Sequence, residues 1–114
     1  MKLAPATPEL AVRDLQAALA YYVDQLGFAT AWHNEDGRIA GISHGDCAIF
    51  LRETDAPVCP VTIWIFTENV DAAHGALVAA GADIAEPLEN RPWGLRQFTV
   101  RDRDGHLIHF HHDL

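Results

Sequence analysis

One order of elements is written twice along these 114 residues, and no other property restricts the fold as strongly. In the first copy, Glu9–Val12 reads as a strand, and Asp14 caps a helix whose apolar positions Leu15, Leu19, Tyr22, Val23 and Leu26 share a face before Gly27 ends it. Strands over Phe28–His33, Arg38–Ser43 and Cys47–Arg52 follow, separated by the turns Asn34–Gly37 and His44–Asp46. The second copy restarts at Val61–Thr67. Asn69 caps a helix bearing Val70, Ala73, Leu77 and Val78, which closes at Gly81. A short strand near Asp83–Ala85 then precedes a hairpin made of Leu95–Val100, the turn Asp102–Gly105, and Leu107–Phe110. Thr7 aligns with Thr62, Leu10 with Ile65, and Asp14 with Asn69. Gly45–Leu51 aligns with Gly105–Phe110 after a slip of one residue.

The junction between the copies falls at Thr54–Pro60, where Asp55, Ala56, Pro57 and Pro60 interrupt regular structure. The reading is therefore one α+β domain over residues 1–114, with modules of about 1–54 and 60–114, each βαβββ. Four curved strands carrying one helix on the convex side leave the concave face and one sheet edge bare. Two such modules together wrap their curved sheets around a cleft.

Composition narrows the class of ligand. Sixteen acidic against eight basic residues give a formal charge of −8. That charge repels phosphate backbones and anionic membranes and attracts cations, so nucleic acid and membrane surfaces are not expected partners. Solubility alone also accounts for an acidic balance. No run approaches the roughly 18 apolar residues of a membrane span, and no basic-then-apolar leader opens the chain, which makes the cytoplasm the expected location. Cys47 and Cys59 show neither a metal spacing nor a disulfide framework. No glycine-rich phosphate loop links a strand to a helix, and Ser43, His44 and Cys47 lack an orienting carboxylate for nucleophilic chemistry.

The stretch Pro92-Trp93-Gly94, then Arg96-x-Phe98, then the Asp102-x-x-Gly105 turn resembles the C-terminal signature of the bleomycin resistance proteins. These belong to the vicinal oxygen chelate superfamily with glyoxalase I and the extradiol dioxygenases. The opening, Pro8-Glu9-Leu10-Ala11-Val12-Arg13-Asp14-Leu15 with Tyr21-Tyr22 and Leu26-Gly27-Phe28, is similar to that superfamily's first strand and helix. The resemblance implies pairing of modules between two chains, giving a homodimer with two clefts. It also implies exchange of an N-terminal arm, here Met1 to Pro8. The turn departs from the family pattern in having Arg103 where proline is common.

In the superfamily's metal-dependent members, four inward positions carry His, Glu or Gln. The resemblance maps them to Thr7, Phe50, Thr62 and His109. A phenylalanine cannot coordinate and threonine hydroxyls are poor neutral donors, so neither a metal nor another cofactor is expected. His106, His109, His111 and His112 crowd the last strand, with 109 and 111 on one face and 106 and 112 on the other. A relocated site using Glu9, His109 and His111 is the alternative that would make the chain an enzyme.

The expected ligand-binding residues are Glu9, Trp32, Trp64, Phe66, Trp93, Arg96, Phe98 and His109. Trp64 and Phe66 share the parity of Thr62 and so the cleft face, where flat rings stack on heterocycles and attract cations. The same two rings would equally suit a dimer core. Trp93, in a loop, corresponds to the family tryptophan that stacks on the drug. Arg96, Phe98 and Val100 share one face, taken here as the cleft side, with Arg96 able to pair with Glu9 or with an anionic group. The implied function is metal-independent sequestration of an aromatic, cationic small molecule such as a bleomycin-type antibiotic. A metabolite-binding domain without catalysis fits the same residues.

Overall fold

In the computed structural model, which describes residues 1–114, β1 (Glu9–Val12), α1 (Leu15–Asp24), β2 (Ala29–Asn34), β3 (Ile39–His44) and β4 (Cys47–Glu53) form the first module. The second contains β5 (Thr62–Phe66), α2 (Val70–Ala79), β6 (Asp83–Asn90), β7 (Leu95–Arg101) and β8 (Leu107–Asp113). Each module closes its own four-stranded sheet, ordered β1-β4-β3-β2 and β5-β8-β7-β6. Corresponding strands thus occupy corresponding places. The first strand of each module runs parallel to the last, and the remaining pairings are antiparallel.

Local chemistry sets the helix ends where the residue pattern puts them. The Asp14 carboxylate accepts from the Ala17 amide at 3.0 Å and the Asn69 side chain from the Ala72 amide at 3.0 Å, each satisfying an amide that the helix leaves unpaired. Beyond the helices, Gly27 (φ +76°) and Gly81 (φ +84°) take the left-handed conformation that a side chain would resist. A second group reinforces α1: Glu53 accepts from the Leu15 amide at 2.8 Å and is gripped by Arg38 at 2.7 Å. The Leu15 amide first, and then Arg38, hold the Glu53 carboxyl below its ordinary range.

Strand alternation sends one set of side chains beneath the helices. Leu10, Val12, Ala40, Ile42, Ile49 and Leu51 are buried in one continuous apolar cluster with Leu15, Ala18, Leu19 and Tyr22 of α1. Phe98, Val100, Ile108 and Phe110 join the same cluster with Val70 and Leu77 of α2. Full burial of each large side chain contributes about 1.5–3 kcal/mol. The two modules are also tied by polar groups. The Tyr22 hydroxyl donates to Asp102 at 2.7 Å in a buried contact, and Tyr21 donates to the Arg101 carbonyl while accepting from the Asp83 amide. His106 Nε2 lies 2.7 Å from the Ala11 carbonyl and its Nδ1 accepts from the Val61 amide at 3.0 Å.

One strand is longer than the sequence pattern suggests. β6 runs for eight residues rather than stopping near Ala85, with register shifts on either side of Glu86. Pro87 is tolerated because β6 is the edge of its sheet, where a missing amide proton leaves no ladder bond unmade. No helix is long and apolar enough to cross a membrane.

Candidate ligand-binding site

The parallel pairing of β5 with β8 sets Trp64 beside His109 and Phe66 beside His111. With Ile63, Ile65, Ile108 and Phe110 turned toward the core, these four rings occupy the opposite, concave face. Trp64 leans on His109 with ring centres 4.2 Å apart, and His111 meets both Trp64 and Phe66 edge-on. Trp64 is 50% exposed and Phe66 59%, unusually open for large rings on a sheet.

The antiparallel pairing of β7 with β8 extends the same face. Gln97 lies opposite His111 and Thr99 opposite His109, and directly opposed residues project to one side of a sheet. The Thr99 hydroxyl lies 2.7 Å from Glu86 and 2.6 Å from His109 Nδ1. Gln97 accepts from the Trp93 indole at 2.9 Å, anchoring a tryptophan that is still 59% exposed at the β6–β7 turn. Arg91 lies over the Trp93 ring at 5.9 Å and is matched by Glu89 at 2.6 Å.

Two expected cleft residues lie on the other side. Phe98 is fully buried, stacked on Phe110 at 5.2 Å and meeting His74 of α2 edge-on at 5.0 Å. Arg96 reaches Asp71 of α2 at 2.8 Å and Asn90 at 3.0 Å, so it pairs with neither Glu9 nor the concave face. The grouping of Arg96, Phe98 and Val100 on one face is right, but that face is the helix side. Alternation alone does not say which set turns inward, and two apolar residues gain more under α2 than facing water. Gln97, Thr99, Glu86 and Arg91 take the place they vacate. The tight Asp102–Gly105 turn fixes the β7–β8 register, so the cleft position of His109 carries enough information to find Gln97 and Thr99.

Glu9 and Trp32 belong to the concave face of the other sheet. Trp32, 41% exposed, meets Phe50 edge-on at 5.1 Å and covers Gly41, where an added Cβ would collide with the indole nitrogen. Glu9 is paired with Arg52 at 3.0 Å. No aromatic contact joins Trp32 and Phe50 to the rings of β5 and β8 within the chain. Within one chain the two aromatic groups are therefore separate half-sites, each open.

The donor set does not suit a metal. The positions that carry ligands elsewhere hold Thr7, Phe50, Thr62 and His109, and no three His, Cys, Asp or Glu side chains converge. Glu9 is on a different sheet from His109 and His111 and is engaged by Arg52.

Burial pushes the His109 imidazole below the ordinary histidine pKa of 6.5, against an opposing pull from Glu86. A lowered folded-state value means that the unfolded chain takes up the proton first. Stability contributed by neutral His109 is thus complete above the ordinary histidine range and is lost as pH falls through it. Chemical denaturation between pH 8 and pH 5 should show a decline that is smaller in His109→Phe. An equal decline in both proteins would assign it to other groups.

The family model described as the glyoxalase/bleomycin resistance protein/dioxygenase superfamily matches residues 3–110. The chain belongs to that superfamily. Bleomycin resistance proteins of Geobacillus stearothermophilus and Staphylococcus aureus are each 30% identical to it over 125 aligned residues, covering 90% of this chain and 92% of theirs. Among solved structures, TioX from Micromonospora sp. ML1 is 32% identical with a TM-score of 0.83, covering 97% of this chain and 100% of TioX. The bleomycin-binding protein of bleomycin-producing Streptomyces verticillus, complexed with copper(II)-bleomycin, is 27% identical with a TM-score of 0.79 and 96% coverage of both chains. The two βαβββ modules read from this superfamily member's sequence match the fold of both.

Proposed function

We propose that this superfamily member binds and sequesters an aromatic, cationic small molecule of the bleomycin type, without chemistry and without a metal of its own. The observation that carries the reading is the open ring surface of Trp64, Phe66 and Trp93, bordered by His109, His111 and Gln97. Such surfaces take planar groups by stacking, and the formal charge of −8 draws in cations. Bleomycin resistance proteins among the relatives and the copper(II)-bleomycin complex of a structural neighbour support the ligand class. Affinity rather than turnover is then the useful property, because a captured drug is kept from its target.

A second copy completes the site in this reading. Under a two-fold axis the Trp32–Phe50 half-site of one chain covers the Trp64–His109 half-site of the other, converting two open faces into two clefts. The exposed leader Met1–Thr7 is free to cross to the partner. Sedimentation at micromolar concentration should give a two-chain species, and a monomer would contradict this assembly. Glu9, Trp32, Trp64, Phe66, Trp93 and His109 line the clefts with Glu86, while the buried Gln97 and Thr99 hold Trp93 and His109 from behind.

Trp93 supplies a direct test. Trp93→Ala should raise the Kd for bleomycin roughly five- to thirtyfold, about 1–2 kcal/mol, by calorimetric titration. Its denaturation midpoint should stay close to that of the parent, because the ring is mostly in solvent. A matching loss of stability would make Trp93 a structural residue.

A further inference from the structure

The polar chain behind Trp64 fixes the chemistry of one ring nitrogen. Thr99 Oγ1 lies 2.7 Å from Glu86 Oε1 and 2.6 Å from His109 Nδ1. An ionised carboxylate only accepts, so the single hydroxyl proton of Thr99 goes to Glu86, leaving the hydroxyl oxygen to accept from His109. The reverse order would set the Thr99 and Glu86 oxygens 2.7 Å apart with no proton between them. Nδ1 therefore carries the imidazole proton and Nε2 keeps the lone pair. Nε2 has no hydrogen-bond partner, and it is not sealed in: the enclosed, unpartnered side-chain atoms of the chain are Arg91 Nε and His111 Nδ1. Trp64, leaning on the same ring at 4.2 Å, restricts its rotation.

We propose that His109 Nε2 is the hydrogen-bond acceptor of the ligand site, which therefore selects aromatic molecules presenting an N–H or O–H donor at the ring edge. Thr99 and Glu86 are positioning residues that hold the tautomer. This inference rests on the cleft-binding reading above and adds the chemical class of the ligand edge. A ring without a donor would cover Nε2 and leave it dry and unpaired, while a ring with an acceptor edge would oppose one lone pair to another. Sites built around one such bond reject isosteres that lack it far more strongly than apolar pockets reject a missing methylene.

The test has two readouts. Long-range proton–nitrogen correlation spectra of histidine-labelled protein should show His109, assigned by its loss in His109→Phe, as the Nδ1–H tautomer. Thr99→Val should shift it toward Nε2–H, a change that a merely structural threonine would not produce. Tryptophan quenching by the permanently cationic quinolines 3-amino-1-methylquinolinium and its N,N-dimethyl analogue, neither of which has a ring N–H, should favour the donor-bearing compound by at least tenfold, and His109→Phe should erase that preference while keeping the stacked ring. An Nε2–H tautomer in the parent protein, or equal binding of the two quinolines, overturns the assignment. Bleomycin run alongside separates the two readings. Saturable bleomycin binding with no quinoline preference removes only the acceptor role, whereas failure of all three compounds to bind removes the cleft-binding reading as well.

Discussion

Phe98→Ala is expected to destabilise the fold by about 3–5 kcal/mol, the usual cost of deleting a large ring from a packed interior. Phe98 has no exposed surface, lies nearly parallel to Phe110 and contacts His74 of α2 through its edge. Its removal opens a hole between β7, β8 and the helix, and main-chain strands on both sides limit collapse into it. Domains of this kind are stable by only about 5–15 kcal/mol, so the variant should unfold at much lower urea concentration with an unchanged slope. Phe98→Leu, which keeps most of the volume, should lose far less. A stable Phe98→Ala protein that has lost ligand binding would return this residue to the cleft, against the packing described here.

Asp102→Ala should cost a comparable amount for an electrostatic reason. The buried carboxylate accepts from the Tyr22 hydroxyl at 2.7 Å and from the Asp104 and His106 amides at 2.9 Å each. These bonds close the β7–β8 turn and fasten α1 of the first module to the second. Alanine leaves the Tyr22 hydroxyl and the His106 amide buried without partners, and the loss is expected at about 3–5 kcal/mol. Tyr22→Phe removes one bond while leaving the carboxylate its two amides, so about 1–2 kcal/mol is expected there. The double variant should then be little worse than Asp102→Ala alone, because both changes break the same contact. Strict additivity in urea denaturation would mean that the Tyr22–Asp102 bond is not what joins the modules.

Residues that act on their own stretch of chain are readable from the residue pattern, and those that act through tertiary pairing are not. Asp14, Asn69, Gly27 and Gly81 act within a few residues of themselves, so helix starts and stops are legible from local chemistry, and with them the repeat. Which face of β7 turns inward is a tertiary matter. Arg96-x-Phe98 matches a family signature, yet its side chains are taken up by Asp71, His74 and Phe110, residues 12 or more positions away in the chain. Glu86, Gln97 and Thr99 look like ordinary polar positions until pairing sets them beside His109 and Trp93. The separation of Glu9 and Trp32 from the other rings is also invisible in the chain order, because it follows from each module closing its own sheet.

The most direct test of metal-independent capture is titration of chelator-stripped protein with metal-free bleomycin, followed through the fluorescence of Trp32, Trp64 and Trp93. Saturable quenching at about one ligand per chain, by protein that elemental analysis shows to be free of metal, is the predicted result. Divalent ion retained by the protein before any bleomycin is added, and required for the drug to bind, would contradict the account and favour a metal-dependent activity.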